Sequence, residues 1–493
     1  MPSPSVIRGS TRADRVTVAT ALAAALLAVG AGAASAQQQP DTLMFDVDVV
    51  TNPPAHLSVE ARLTSSAAGL ITLAAPPSAL PAGTDVEGLS ATDDRGRPLA
   101  VRRLETRYEI DAPAGAVRFR YRLDVRNPVA LSSTGAGLDG ARLYAVGRSV
   151  FVAPDPAAYR SAGRPYPLLW VHLATPPGWQ TVTSWGVDEE VFTPASGESL
   201  LGATLAAAPD FRIYHDTAGS TSFVLAIRGE RHFSDSALRR VIAASLRAAA
   251  EALGPVPVPR VTFTSDVGSK GRTSGSLQGP ASIGLIWEPG ELLERPRIHD
   301  LFHETLHLWF GGEMAASRWW TEGVTDYFAA RLEAEWRGRP DDLADLCYQS
   351  LSNYLRIGHN TGMTMDEEQR AGVLGDNTSL LVYRKGMLAG LLLDAAIRRS
   401  TDGQASLDDV ARRLLAVAGA NPAHRVSEAE IRAVAAEVGG AAVDRTWRRV
   451  VEGTSLITAA EVADALRTVT GLDVAPPDVI AKEQKVLIGH PKP

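Results

Sequence analysis

Two histidines and a glutamate near the middle of the chain have the spacing of a metal site that activates water. His303 and His307 are four residues apart, and on a helix this spacing places both imidazoles on one face, where a single ion can bridge them. Glu304 projects beside that face, where it can accept a proton from a water that the ion polarises. Apolar residues at four-residue spacing predict that the helix is partly buried: Phe302, Leu306 and Phe310.

A third ligand is expected fifteen residues after His307. A helix that starts near Thr321 would return Glu322 to the metal and complete a His₂Glu site with one position open for water. Asp326 lies one helical turn further on, where it can accept the second ring N–H of a ligand histidine and fix its tautomer. The opposite assignment, with Asp326 as the ligand and Glu322 as its outer partner, fits the same spacing. Either donor set predicts one Zn²⁺ per chain.

Two more residues with reactive or metal-binding side chains are expected to have structural roles. His299 precedes His303 by one helical turn, and we expect it to hydrogen-bond behind the site rather than to bind the ion. Cys347 is the only cysteine, so an intrachain disulfide framework and a thiolate zinc site are both excluded. We expect Cys347 to be a small buried residue on a helix.

The elements that must position these residues change character along the chain. From about Asp41 to Ile227, short alternating or β-branched runs are separated by turns rich in Pro, Gly and Asp, which predicts a β-sandwich. The predicted strands include Leu43–Val50, His56–Leu63, Ala116–Val125 and Ser222–Ile227.

A mostly helical region follows. Ser234 or Ser236 can cap a helix over Ala237–Leu253, Arg260–Ser265 and Ser282–Trp287 are predicted strands, and helical patterns continue to about Val469. The predicted fold class is α+β, with an N-terminal β-sandwich followed by a mostly helical domain. The predicted division is a signal peptide at 1–36, a β domain at 37–230, the domain with the metal motif at 231–420, a C-terminal helical segment at 421–475 and a loose tail at 476–493.

Composition excludes some classes of function. The 493 residues are 45% hydrophobic and 21% charged, as in ordinary globular proteins. The formal net charge is −7 and no basic stripe is present, which argues against a nucleic-acid partner.

The N-terminus predicts export. Three arginines within the first fifteen residues precede an apolar stretch over Val16–Val29, and Ala34-Ser35-Ala36 fits a cleavage site. We expect a periplasmic or secreted protein whose mature chain starts near Gln37. No membrane span is expected after the signal is removed, although an uncleaved anchor fits the same segment.

The motif region also resembles a known group of enzymes. The segments HETLHLWF at His303–Phe310 and WWTEGVTDYFA at Trp319–Ala329 resemble the gluzincins, the thermolysin-like peptidases whose third zinc ligand is a glutamate on the following helix. HLWFGG at 307–312 resembles the aminopeptidase N family. EGVTDYFA and the later VYRKG at Val382–Gly386 are more similar to the glycyl aminopeptidase family, a resemblance that extends over about residues 42–472.

This resemblance implies an N-terminal β domain, a thermolysin-like catalytic domain, a zinc ion and a peptide or protein substrate. It also implies that Tyr383, in the segment Tyr383-Arg384-Lys385-Gly386, faces the zinc and donates a hydrogen bond to the oxyanion of the tetrahedral intermediate. Lys385 is expected to be structural.

The sequence departs from these families in three places. The interval from His307 to Glu322 is shorter than in typical relatives, so the connection must be tight. The roughly twenty residues after Leu472 are too few for the PDZ domain that many glycyl-type relatives carry. Gln278, in Gly275-Ser276-Leu277-Gln278-Gly279, takes the place of the glutamate that grips a substrate's amino terminus, and a neutral amide is a weaker anchor for an ammonium group.

The reaction expected from these residues is metal-assisted amide hydrolysis with Glu304 as the general base. The interpretation is an exported zinc metallopeptidase, with aminopeptidase activity as its simplest form. Two alternatives stay open: a zinc endopeptidase, because Gln278 weakens amine recognition, and a catalytically retired peptide-binding protein on a peptidase scaffold.

Overall fold

The computed structural model describes residues 41–65, 68–74, 84–105, 107–125, 136–268, 274–279, 281–311, 317–356, 363–367, 379–420, 424–478 and 480. The predicted signal peptide at 1–36 and most of the predicted tail at 476–493 lie outside these residues. No helix in the described part combines the length and apolar character needed to cross a membrane.

The N-terminal region consists mainly of β-strands in which buried and exposed side chains alternate, as expected for strands with one face on a core. The strands described there are β1 (Thr42–Val50), β2 (His56–Ser65), β3 (Gly69–Ala74), β4 (Thr84–Thr92), β5 (Pro98–Leu99), β6 (Val101–Arg103), β7 (Arg107–Ala112), β8 (Gly115–Val125), β9 (Ala136–Asp139), β10 (Arg142–Val146), β11 (Ala153–Pro154), β12 (Leu168–Ala174), β13 (Gln180–Thr183) and β14 (Thr204–Ala208). In the pairing register, Ala61 of β2 lies opposite Phe45 of β1 on one side and Phe119 of β8 on the other. Phe45, Ala61 and Phe119 are part of the hydrophobic core of this region.

Three sheets surround this core. One sheet has the order β12-β1-β2-β8-β4-β5, with β12 parallel to β1, and the others have the orders β13-β14-β10-β9 and β11-β3-β7-β6. Buried side chains from all three sheets belong to one hydrophobic cluster, including Phe45, Ile110 and Leu205. The predicted N-terminal β domain is therefore confirmed in its architecture.

A fourth sheet opens the second half of the chain. It contains β15 (Arg212–Ala218), β16 (Thr221–Ile227), β17 (Arg260–Val267), β18 (Ser274–Gly279) and β19 (Ser282–Trp287) in the order β15-β16-β17-β19-β18. The three central strands are parallel, and the edge strands β15 and β18 are antiparallel to their neighbours.

The position of β16 differs from the sequence-based expectation. Ser222–Ile227 was predicted as part of the N-terminal β domain, but β16 pairs with β17, so the predicted division at residue 230 lies inside this sheet. The physical reason is burial on both faces. Phe223 and Leu225 pack into the core of the helical region, whereas Val224 and Ala226 pack with Tyr144 of the N-terminal region.

Helices cover the other side of this sheet. The helices described are α1 (Pro156–Ser161), α2 (Gly197–Leu201), α3 (Asp235–Leu253), α4 (Arg295–Phe310), α5 (Thr325–Arg337), α6 (Asp341–Arg356), α7 (Ser379–Ser400), α8 (Leu407–Ala420), α9 (Glu428–Val450) and α10 (Ala459–Thr470). A π-helical turn at Trp319–Val324, here called the π segment, runs directly into α5. Ser234 caps α3, because its hydroxyl accepts the Ala237 N–H at 3.2 Å.

Buried groups hold the helices together in a defined arrangement. Asp394 of α7 is fully buried and accepts hydrogen bonds from the Tyr327 hydroxyl of α5 and, at 2.8 Å, from the Leu407 N–H at the start of α8. Cys347 is buried on α6, which confirms the structural role expected for it. Burial raises the pKa of its thiol.

Candidate metal centre

Helix α4 presents two imidazoles side by side. Pro296 lies in its first turn, and its apolar side, which includes Phe302 and Leu306, is buried. The Nε2 atoms of His303 and His307 lie 3.0 Å apart, and the two rings are almost perpendicular, with centroids 4.6 Å apart. This geometry directs both nitrogens to one point.

The π segment supplies a carboxylate to the same point. Oε2 of Glu322 lies 3.5 Å from Nε2 of His303 and 3.5 Å from Nε2 of His307. Four donors arranged tetrahedrally at about 2.0–2.1 Å from a zinc ion are separated by roughly 3.3 Å. The three observed separations bracket that value, so the donor set fits one zinc ion and leaves a fourth position for water or substrate. Among the described residues, these three form the one group close enough together to hold a metal in this way.

Two glycines set the position of the π segment. A β-carbon built on Gly386 of α7 would lie 2.6 Å from the carbonyl oxygen of Trp319, and one on Gly323 would lie 2.5 Å from the Cα of Gly386. The two backbones are therefore in direct contact, which only glycine permits. The α-helix predicted to start near Thr321 is instead preceded by this π-helical turn, a form that often occurs at functional sites.

Asp326 lies behind His303. Its Oδ1 accepts a hydrogen bond from Nδ1 of His303 at 2.8 Å, while Nη1 of Arg384 lies 3.6 Å from its Oδ2. Glu322, not Asp326, thus faces the two Nε2 atoms. Burial alone would raise the pKa of the Asp326 carboxyl, but hydrogen bonds from His299 and His303 hold it well below its usual range. An ionised Asp326 fixes the His303 tautomer that leaves Nε2 as a metal donor.

A second buried ionic cluster continues from Asp326. Nε2 of His299 lies 3.5 Å from Oδ1 of Asp326, and its Nδ1 lies 3.7 Å from Oε2 of Glu333. Glu333 is fully buried, and its other oxygen pairs with Arg337 at 3.0 Å. Burial would lower the pKa of His299, but the two carboxylates outweigh burial and raise it to about 9.

Tyr383 of α7 lies beside the donor atoms. Its ring is nearly parallel to that of His303, with centroids 6.2 Å apart, and the guanidinium carbon of Arg318 lies 5.7 Å from the centroid of the Tyr383 ring. Burial and the negative charge of Glu322 raise the pKa of the phenol, so the hydroxyl keeps its proton and can donate it in a hydrogen bond.

Glu304, Gln278 and Lys385 are the remaining residues that the sequence analysis singled out. Glu304 is partly exposed on α4 next to His303, and its negative charge acts on that imidazole. Gln278 lies on the edge strand β18 at an irregularity in its pairing with β19; its side chain lies outside what the structure describes. Lys385 is buried and donates to the Met363 carbonyl at 3.1 Å.

Sequence reasoning missed three charged residues around the centre: Arg318, Glu333 and Arg384. Glu333 could have been found, because it lies two helical turns after Asp326 on the same helix. Arg318 and Arg384 are neighbours of Trp319 and Tyr383 in the motifs, but nothing in the spacing shows which way their side chains turn.

Comparisons with known proteins agree with this architecture. No family model and no curated protein matches the sequence. Among solved structures, an aminopeptidase N family protein from Idiomarina loihiensis is similar with a TM-score of 0.73 and 17% identity over 85% of this chain and 78% of that one. An M1 zinc metallopeptidase from Deinococcus radiodurans, bound to a Tyr-Ser-Ala substrate, is similar with a TM-score of 0.56 and 16% identity over 85% of this chain and 95% of that one. The chain therefore has the fold of these enzymes.

Proposed function

We propose that this chain is an exported zinc metallopeptidase that hydrolyses peptide bonds, with the amino end of a peptide as its point of action. The observation that carries the proposal is the convergence of three donor atoms, from His303, His307 and Glu322, at separations of 3.0–3.5 Å. The shared fold with zinc aminopeptidases supports the same function.

A zinc ion held by His303, His307 and Glu322 would lower the pKa of a bound water and polarise the scissile carbonyl. The chain contributes the groups that hold these donors in place. Asp326 keeps His303 in the tautomer with Nδ1 protonated, and the contact between Gly323 and Gly386 fixes the backbone on either side of Glu322.

Glu304 is the proposed general base. It follows the first histidine directly and is partly exposed, so its carboxylate can take a proton from the attacking water and later pass it to the leaving amine. Tyr383 is the proposed oxyanion donor. Its raised pKa keeps the phenol protonated, and a hydrogen bond aimed at developing negative charge is worth about 2.7–4 kcal/mol in comparable sites.

The aminopeptidase assignment depends on how the substrate's amine is held. Gln278 lies on the edge strand β18, and such an edge can pair with an extended peptide. The Deinococcus radiodurans enzyme binds a tripeptide substrate, which supports short peptides as substrates here. An endopeptidase would share the metal chemistry. Comparing the hydrolysis of free and N-acetylated peptides separates an aminopeptidase from an endopeptidase. Loss of turnover on acetylation supports the aminopeptidase.

The decisive test uses purified, zinc-loaded protein and a panel of unmodified peptides. We expect about one zinc per chain, measurable peptide hydrolysis, and loss of turnover with retained zinc in Glu304→Gln. Glu335→Gln is the matched control, because Glu335 is an exposed carboxylate that pairs with Arg331 on the far part of α5; this variant should keep full activity. Undiminished hydrolysis by Glu304→Gln contradicts the mechanism.

A retired peptide-binding scaffold is the second candidate, favoured by glutamine at position 278. It predicts peptide binding without turnover by the zinc-loaded wild-type protein. Export is tested separately by sequencing the N-terminus of the protein recovered outside the cytoplasm, which should begin near Gln37.

A further inference from the structure

An exposed arginine, Arg318, lies beside Tyr383 in the candidate metal centre. Arg318 immediately precedes the π segment and its side chain is exposed. Its guanidinium carbon lies 5.7 Å from the centroid of the Tyr383 ring, and that ring lies 6.2 Å from the ring of His303. These two contacts place the positive charge close to the proposed reacting groups.

Two other arginines among the described residues near the centre face buried carboxylates. Arg384 lies 3.6 Å from Asp326, and Arg337 pairs with Glu333 at 3.0 Å. Arg318 is exposed, whereas the side chains of Arg384 and Arg337 are 30% and 22% exposed. Its charge is therefore more accessible to a ligand beside the centre.

The chemistry of the guanidinium specifies the ligand. It carries five N–H donors in a planar fork that matches a carboxylate bidentately. The charge of a bound zinc ion would be used by its donors, the attacking water and the scissile carbonyl, so a substrate carboxylate beside the centre needs a second cation. Arg318 supplies the positive charge that such a substrate needs.

We infer that Arg318 binds a carboxylate of the substrate near the scissile bond, so that the preferred substrates are peptides with a free C-terminal carboxylate or an acidic side chain close to that bond. This inference rests on the proposed peptidase function and narrows its substrate class. The C-terminus and an acidic side chain present the same carboxylate group, so the experiment must distinguish between them.

The test compares Arg318→Met with wild-type protein on two matched peptide pairs. Trialanine and its C-terminal amide vary the terminal carboxylate, and Ala-Asp-Ala amide and Ala-Asn-Ala amide vary the acidic side chain. We expect the KM of the carboxylate member of at least one pair to rise roughly 10- to 100-fold more than that of its neutral member, the range for a hydrogen-bonded charge. Arg339→Met is the matched control, because Arg339 is an exposed arginine that lies 3.8 Å from Asp342.

Two outcomes would overturn the inference: no change in either pair, or an equal loss on charged and neutral peptides, which would mean that Arg318 acts only through Tyr383. A binding measurement keeps this test independent of turnover. In zinc-loaded Glu304→Gln, the carboxylate member of at least one of the two pairs should bind roughly tenfold or more tightly than its neutral member, and addition of Arg318→Met should remove that preference. If wild-type protein hydrolyses nothing, the proposed function fails, and the binding preference still decides the role of Arg318.

Discussion

Nδ1 of His303 and Oδ1 of Asp326 are joined by a hydrogen bond of 2.8 Å, on the side of the imidazole away from the converging donor atoms. The carboxylate accepts the Nδ1 proton, so the Nε2 lone pair is directed toward His307 and Glu322. The arrangement of the three donor atoms therefore depends on a residue that is not itself one of the donors.

Asp326→Asn should therefore weaken zinc binding without unfolding the protein. The neutral amide cannot stabilise the His303 tautomer as an anion does, and comparable outer-partner substitutions reduce metal affinity about 10- to 100-fold. Competition with a chelator measures the zinc dissociation constant. Asp345→Asn is the control, since Asp345 pairs with Arg295 on the surface; an unchanged constant in Asp326→Asn would contradict the role assigned to that carboxylate.

Tyr383→Phe should lower kcat about 10²- to 10³-fold, the usual effect of removing one oxyanion donor. The phenyl ring retains the packing against His303, so zinc content and thermal stability should stay near wild type. Steady-state kinetics beside metal analysis makes this measurement. Loss of zinc from Tyr383→Phe would instead show that the tyrosine supports the ligands.

Gly386→Ala should displace the π segment. The new methyl group would meet the Trp319 carbonyl oxygen at 2.6 Å and the Gly323 Cα at 2.8 Å, and overpacking of this kind costs typically about 1–3 kcal/mol. Thermal unfolding and zinc affinity should both decrease. Gly419→Ala on α8 is the matched control, because no atom lies within 4 Å of its added carbon and alanine favours a helix; equal behaviour of the two variants would refute the close-contact argument.

His299 should make stability fall with rising pH. Its folded pKa of about 9 exceeds the unfolded value near 6.5, so its contribution is complete below about pH 6.5 and is lost as the pH rises through about 9. The full contribution is on the order of 3 kcal/mol. Denaturant unfolding of zinc-loaded wild-type and His299→Gln protein should give free energies that differ most at low pH and converge above about pH 9. A pH-independent difference would contradict the prediction.

Helical spacing was enough to predict that His303 and His307 share one helix face, but Glu322 lies in the π segment and not in the α-helix expected for it. The four-residue interval between His303 and His307 and the later pair Glu322 and Asp326 are local patterns, and helix geometry converts them directly into shared faces. The strands β1, β2, β8, β17 and β19 also followed from local alternation or apolar runs.

Contacts between residues far apart in the sequence determine the features that local patterns did not predict. The apolar run of β16 is compatible with either half of the chain, and only its pairing with β17 assigns it. The π segment depends on contact between Gly323 and Gly386, which are far apart in sequence. The direction of the Arg318 side chain likewise depends on Tyr383, contributed by another helix.

The burial of β16 on both faces makes the two halves of the chain interdependent. Val224 and Ala226 pack with Tyr144 and Ala206 of the N-terminal region, while Arg142 of β10 pairs with Asp266 of β17. Melting either half alone would leave this strand with one apolar face in water, a state that is costly and prone to aggregation. The β region is thus packed against the half of the chain that carries His303, His307 and Glu322, and calorimetry should record one cooperative transition for both.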